Sequence, residues 1–379
     1  MFRRDNVVKG NNTIDAFFAL LRAGLWEKDT CLSTYSEINF KKVYNLAMEQ
    51  SVVGLIAAGL EHIQDVKVPQ EMDLKFVGST LQLERRNTAM NVFVAQLIEN
   101  FRDKGIYALL VKGQGIAECY ERPQWRAGGD IDLFLSDNYY EAAKSVVLPL
   151  ASSIEKEGIA TKHLGMIIND FNVELHGTLK CGLSIRVDRG LRCINNAILY
   201  EGKVRSWING KTQVFLPSAD EDAVYVFTHI LGHFYKGGIG LRQLCDWCRL
   251  LWTNKKSINH GLLESRIRNM GLMSEWKAFG AFAVGYLGMP ADAMPFYSSA
   301  KSWIKKADMI CSFIMKVGNF GHNRDMSFYH SGSYYMQKIK SFGRRCGDMY
   351  RHFMIFPFDT LRFIPSIVFN GLRSAIRGE

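Results

Sequence analysis

Two aspartates two residues apart, Asp130 and Asp132, are the side chains in this sequence whose type and spacing speak most directly of chemistry. They stand in Gly129-Asp-Ile-Asp-Leu-Phe-Leu135, a run of strand character. Residues i and i+2 of a strand share a face. The two carboxylates therefore project together, while Ile131, Leu133 and Leu135 turn into a core. Adjacent carboxylates repel unless a cation lies between them, and an all-oxygen donor set suits Mg²⁺ or Mn²⁺. A solvated strand end is the plain alternative, and the apolar neighbours weigh against it. Metal-assisted nucleotidyl transfer calls for a further acid on the same face. Glu174 is the candidate: in Phe171-Asn-Val-Glu-Leu-His176 the alternation sets Glu174 and His176 on one polar face.

A second cluster precedes the aspartates. In Ala108-Leu-Leu-Val-Lys-Gly-Gln-Gly115 an apolar strand gives way to a short helical segment. Lys112, Gly113 and Gln114 fall at that junction, where free backbone N–H groups and the helix dipole favour phosphate and glycine permits close approach. Arg126 offers a bidentate grip on a triphosphate, or alternatively an ion pair with a nearby acid. Further along, His229 and His233 lie one helical turn apart, and Cys245-Asp-Trp-Cys248 follows. A zinc site built from these four competes with plain packing; thiols and imidazoles on packed helices are usually core, so no zinc is expected there.

The strings Leu110-Val-Lys-Gly113, Tyr120 to Arg126 and Asp130-Ile-Asp-Leu133, with Val173-Glu-Leu-His176, His229-x-x-x-His233 and Gly240-Leu-Arg-Gln-Leu-Cys-Asp246, resemble the uncharacterised nucleotidyltransferase family of the DNA polymerase beta-like superfold. The resemblance spans roughly residues 45–260. It implies transfer of a nucleoside monophosphate from an NTP, ATP foremost, to an acceptor hydroxyl or phosphate. It also implies Mg²⁺ or Mn²⁺ on Asp130 and Asp132, with Glu174 completing the metal site or acting as base. Lys112, Gly113, Gln114 and Arg126 would hold the nucleotide; His176, His233, Arg242 and Asp246 take structural or substrate-facing places. Many active members of the superfold carry Gly-Ser after the first strand, where this chain has Gly113-Gln114. That departure motivates one rival, a catalytically silent nucleotide-binding or regulatory module. The other rival, an Asp-x-Asp glycosyltransferase, is disfavoured by the Lys-Gly loop and by the long helical stretch ahead of the first strand.

The elements that must position these residues follow from periodicity. Apolar spacing predicts helices over residues 13–26 with Thr13 as N-cap, 40–50, 52–63 and 69–100. From Ile106 the period shifts to strand 106–111, helix 114–121, strand 130–135, helix 138–150 opened by Ser136, and strands at 163–169 and 171–179. Residues 204–208 and 213–216 read as a hairpin turning at Asn209-Gly210; the rest of 183–216 gives no clear pattern. Helices run from Pro217 to about residue 288, then over 303–317, followed by a polar loop at 318–332. The expected class is α+β: a small mixed sheet domain at 105–217 between helical parts at 1–104 and 218–332, with a basic, aromatic segment at 333–379.

Composition sets the outer bounds. With 379 residues and 47% hydrophobic content the chain has ample material for packed cores. No apolar run reaches the roughly 18–20 residues that span a bilayer, and the N-terminus lacks the apolar core of a signal peptide, so a cytoplasmic location is expected. Eight scattered cysteines read as reduced thiols. A net charge of +10 favours anionic partners, whether nucleotide, nucleic acid or acidic lipid. In the tail, Arg344, Arg345, Arg351 and Arg362 interleave with Phe342, Tyr350, Phe353, Phe356 and Phe363. This is the composition of an element lying on a membrane surface, with a C-terminal helix packed on the core as the alternative.

Overall fold

The computed structural model describes residues 12–158, 162–319 and 334–377. The reading of the first residues as lacking a leader, and that of a loop from 320 to 332, lie outside them. Four helices open the described chain: α1 (Asn12–Trp26), α2 (Phe40–Glu49), α3 (Val53–Glu61) and the long α4 (Gln70–Asp103). A mixed region follows, with β1 (Ala108–Val111), α5 (Gly113–Ala117), β2 (Ile131–Leu135), α6 (Asp137–Val147), β3 (Ser153–Ile154), β4 (His163–Ile168), β5 (Phe171–His176), α7 (Ile185–Tyr200), β6 (Val204–Asn209) and β7 (Thr212–Pro217). The remainder is helical: α8 (Ala219–Lys236), α9 (Leu241–Thr253), α10 (His260–Met270), α11 (Met273–Gly285), α12 (Lys301–Val317), α13 (Tyr334–Ile355) and α14 (Pro357–Arg377). The class is α+β, as expected.

One seven-stranded mixed sheet has the order β3-β4-β5-β2-β1-β7-β6. β2 lies antiparallel to β1 and parallel to β5, with Asp132 directly beside Glu174. Strand alternation divides the sheet into two faces. Leu110, Ile131, Leu133, Leu135, Val173 and Leu175 join the core under the second half of α4 and α6. Val111 and Phe134 join the larger helical core on the other side. Asp132, Glu174 and His176 share the face of Phe134 and so look toward α8 and α9 rather than toward open solvent.

Several elements depart from the sequence expectation, each for a local reason. Thr13 is not a cap: it lies within the first turn of α1, buried, and its hydroxyl accepts the Asn39 N–H at 3.2 Å. Asn39 then caps α2 by accepting from the Lys42 N–H at 2.9 Å. Ser136 does precede α6, but its side chain makes no cap bond. Residues 185–200, unassigned from sequence, form α7, nucleated by Ser184, which accepts from the Val187 N–H at 3.2 Å. The β6–β7 turn falls one residue later than read, at Gly210-Lys211, with Gly210 at φ +64° and Asn209 facing Thr212.

The tail is two helices rather than an isolated element. Ile355, Phe356, Phe363 and Ile367 are buried, and the Phe363 ring lies 4.9 Å from that of Tyr235 on α8. The outer side nevertheless leaves Tyr350, Met354, Phe358 and Leu361 exposed, Phe358 at 85%. Among the described residues no helix is long and apolar enough to cross a membrane.

Candidate functional site

The cleft between sheet and helices encloses about 240 Å³. Its floor is Asp130, Asp132 and Glu174; one wall is the face of α8 carrying Val226, His229, Ile230 and His233, and the other is Arg242, Gln243 and Asp246 of α9. These helical residues recur at three- and four-residue intervals, the spacing of a single helical face. Lys112, Gly113 and Ile116 close one end, and Arg126 and Gly129 another.

Lys112 has φ +60° and ψ −147°, a backbone state that costs a residue with a β-carbon about 1–3 kcal/mol. The strained turn points its ammonium at Asp132, with Nζ 2.8 Å from Oδ1. Burial disfavours the ammonium, but the Asp132 charge and hydrogen bond, with Tyr225 and Glu174 nearby, together raise the Lys112 pKa. Burial likewise acts against the Asp132 carboxylate, and Lys112 with the His176 hydrogen bond holds its pKa below the ordinary value. His176 Nε2 lies 2.8 Å from Asp132 Oδ1 and 3.3 Å from Glu174 Oε2. Burial alone would neutralise this imidazole, yet the two carboxylates raise its pKa. His163 Nε2 is 3.1 Å from the same Glu174 oxygen, and Glu174 is depressed despite burial by its two histidines and Lys112.

Asp130 differs. Its Oδ1 accepts from Asn172 Nδ2 at 3.0 Å. Burial, aided by the charges of Glu174 and Asp132, raises its pKa against the Asn172 bond. Burial and the neighbouring carboxylates thus disfavour a charged Asp130, and carboxylate oxygens of this kind suit a hard divalent cation.

On the opposite side Asp246 Oδ1 accepts from Arg126 Nε at 2.7 Å and from the Tyr120 hydroxyl at 2.8 Å, while Oδ2 accepts from Arg126 Nη2 at 2.8 Å. Arg126 and Asp246 are 3% and 5% exposed. Burial opposes both charges, and each partner outweighs it for the other, raising Arg126 and lowering Asp246. Asn87 on α4 fixes the Arg126 turn by donating to the carbonyls of Gln124 and Arg126 at 2.7 and 2.8 Å. Gly54 at the start of α3 lets the turn seat: a β-carbon there would lie 1.9 Å from the Trp125 carbonyl oxygen. Arg126 Nη1 and Arg242 Nε are buried without a hydrogen-bond partner, while Arg242 Nη1 donates to the Ala127 carbonyl at 3.1 Å.

His229 and His233 face each other, Nε2 to Nε2, at 3.0 Å. Burial, with Lys112 nearby, drives His229 well below its ordinary value and His233 down to about 4. Both imidazoles are neutral near pH 7, so one can donate its Nε2–H to the other. Cys245 and Cys248, by contrast, are fully buried in the helical core, away from this pair.

Of the residues singled out from sequence, Lys112, Gly113, Arg126, Asp130, Asp132, Glu174, His233, Arg242 and Asp246 line one cleft. His176 braces its floor through Asp132 and Glu174. Gln114 does not join them: it is buried, and its amide donates to Asn91 Oδ1 on α4 at 2.7 Å. α5 is a five-residue turn of helix, too short for a developed dipole, so Lys112 rather than a helix end supplies positive charge there. Sequence reasoning missed His163, Asn172 and Gln243 as neighbours of the site.

No curated protein and no solved structure matches the chain. The model of the uncharacterised nucleotidyltransferase family matches residues 36–283, including every strand of the sheet and every residue named as lining the cleft. The chain belongs to that family.

Proposed function

We propose that this protein transfers a nucleoside monophosphate from an NTP, ATP foremost, to an acceptor oxygen. The observation that carries the proposal is the meeting of Asp130, Asp132 and Glu174 with Lys112, Arg126 and Arg242 around one cavity. An acidic floor opposite a guanidinium wall suits a substrate that is itself a phosphate chain carrying a divalent cation. Asp130 and Asp132 would hold Mg²⁺ or Mn²⁺, with Glu174 as third ligand or as base toward the acceptor. When bound, the cation neutralises charge on the attacked phosphate and makes the acceptor oxygen easier to deprotonate. Arg242, partly exposed in the cleft, and the unengaged Nη1 of Arg126 would meet phosphate oxygens; Arg126's other nitrogens stay with Asp246 and fix its direction. The neutral His229 and His233 would bound the substrate without adding charge.

A second reading is favoured by one contact. Lys112 and His176 already neutralise Asp132, so a nucleotide-binding module without turnover would need no cation there. Pyrophosphate release over a panel of hydroxyl and phosphate acceptors, with calorimetry of Mg²⁺–NTP, separates the two. Transfer should fall by orders of magnitude in Asp132→Asn and Glu174→Gln, since metal stabilisation supplies several kcal/mol of the barrier reduction. Wild-type protein that binds Mg²⁺–NTP no better than Asp132→Asn would remove the acidic set as a metal site. Tight binding without pyrophosphate release would select the silent module.

A further inference from the structure

We propose that His163, Glu174 and His176 form a second cation site, selective for a borderline transition metal such as Zn²⁺ or Co²⁺. Their ligand atoms all lie within 4.8 Å of one another. Metal–nitrogen and metal–oxygen bonds of about 2.0–2.2 Å at tetrahedral angles set neighbouring donors roughly 3.3 Å apart. The observed edges are 3.1 Å from His163 Nε2 to Glu174 Oε2 and 3.3 Å from His176 Nε2 to the same oxygen.

Hydrogen bonds already join these atoms, and a cation taken up among them would replace the imidazole protons. His176 Nε2 has at most one hydrogen, yet it faces two carboxylate oxygens, Asp132 Oδ1 at 2.8 Å and Glu174 Oε2 at 3.3 Å. Glu174 Oε2 in turn meets two imidazole nitrogens. A cation bound among the three engages His163, Glu174 and His176 at once, and Asp132 Oδ1 lies 2.8 Å from His176 Nε2. The backbone places the set without adjustment: His163 opposes His176 across the β4–β5 ladder, and Asp132 flanks Glu174 on β2.

Ligand chemistry separates this site from the all-carboxylate one. Imidazole suits zinc, cobalt and similar ions, whereas Mg²⁺ prefers oxygen and keeps its water. Glu174 belongs to both sets and lines the cleft, so a cation held by the histidines would fix that carboxylate at the cavity's edge. The inference does not rest on nucleotidyl transfer, because the cation is held by protein atoms alone.

The test uses the full chain without nucleotide: titration with Co²⁺, read by visible ligand-field absorption, then displacement by Zn²⁺, all in a large excess of Mg²⁺. The expected result is about one Co²⁺ per chain, displaced stoichiometrically by Zn²⁺. His163→Ala and His163→Gln should each weaken uptake at least tenfold, the scale on which even supporting groups of metal sites act. His163 is partly exposed, so both variants should melt as wild type does. No saturable uptake by wild type, or unchanged uptake in both variants, overturns the proposal. A chain that takes up Co²⁺ but never releases pyrophosphate keeps this site and loses the proposed activity.

Discussion

The pairing of Arg126 with Asp246 can be perturbed with an outcome worked from the structure. Asp246 receives three hydrogen bonds of 2.7–2.8 Å, two from Arg126 and one from Tyr120, in a nearly solvent-free position. Removing one partner of a buried ion pair strands the other charge and costs about 3–5 kcal/mol. Asp246→Asn and Arg126→Met should each destabilise by that amount in urea unfolding followed by tryptophan fluorescence. The double variant Arg126→Met/Asp246→Asn combines the same two changes and strands no charge, leaving polar groups incompletely paired at about 1–3 kcal/mol. It should therefore be no less stable than either single variant, a coupling of at least about 3 kcal/mol. Nucleotide binding adds a sign test. Deleting a negative charge beside a phosphate site should, by Coulomb attraction alone, tighten NTP binding. If Asp246 acts by aiming Arg126, Asp246→Asn weakens it instead. Single variants costing under about 1 kcal/mol, or a double variant equal to their sum, would refute this reasoning.

Three further outcomes are expected. Glu275 on α11 is fully buried, with Tyr235, Asp359, Lys306 and Arg362 around it, and burial, then the Asp359 charge, raises its pKa to about 8. Because the folded form binds this proton more tightly than the unfolded chain, Glu275's own contribution to stability should be fully present below about pH 4.5. It should then decline by roughly 4 kcal/mol toward pH 8, and Glu275→Gln should flatten that decline in unfolding measured across the range. Phe363→Ala should cost about 3–5 kcal/mol, whereas Phe358→Asp on the exposed side should stay within about 0.5 kcal/mol. Comparable losses would mean that the tail is not packed as described. Vesicle sedimentation of the Phe358→Asp protein then reads the anionic-surface role separately. Cys248→Ala should leave metal content unchanged, since both thiols face the core; zinc lost with that variant would place a site where none is expected.

Sequence legibility tracked how local each signal was. Asp130, Asp132 and Glu174 were readable because two-residue alternation is local, and the apolar residues between them declare the buried face. The structure adds what alternation cannot: this polar face is roofed by α8 and α9, so Asp132 is buried and needs Lys112 and His176. Gln114 was misjudged because its neighbours Lys112 and Gly113 do face the cleft; a helical turn rotates each successive side chain by about 100°, and Gln114 is carried round toward Asn91. Arg126 was read with an ion pair as its alternative, and the ion pair is what Nε and Nη2 make with Asp246, while Nη1 stays unengaged.

His163 was the avoidable miss. Asn169 and Asp170 both adopt positive φ, at +49° and +62°, and Asn and Asp are residues that accept that conformation in two-residue hairpin turns. Taking that pair as the turn fixes the register outward from Ile168 opposite Phe171, and counting back sets Gly165 against Glu174 and His163 against His176. The two imidazoles and the carboxylate between them therefore follow from a turn and a count, without any tertiary information. Their approach to Asp132 does not, because it depends on β5 lying beside β2, a pairing between strands separated by α6, β3 and β4. Recognition of the carboxylate set from sequence and of the histidine set from structure thus differ in kind: the first rests on one strand's alternation, the second on hairpin register joined to a long-range parallel pairing.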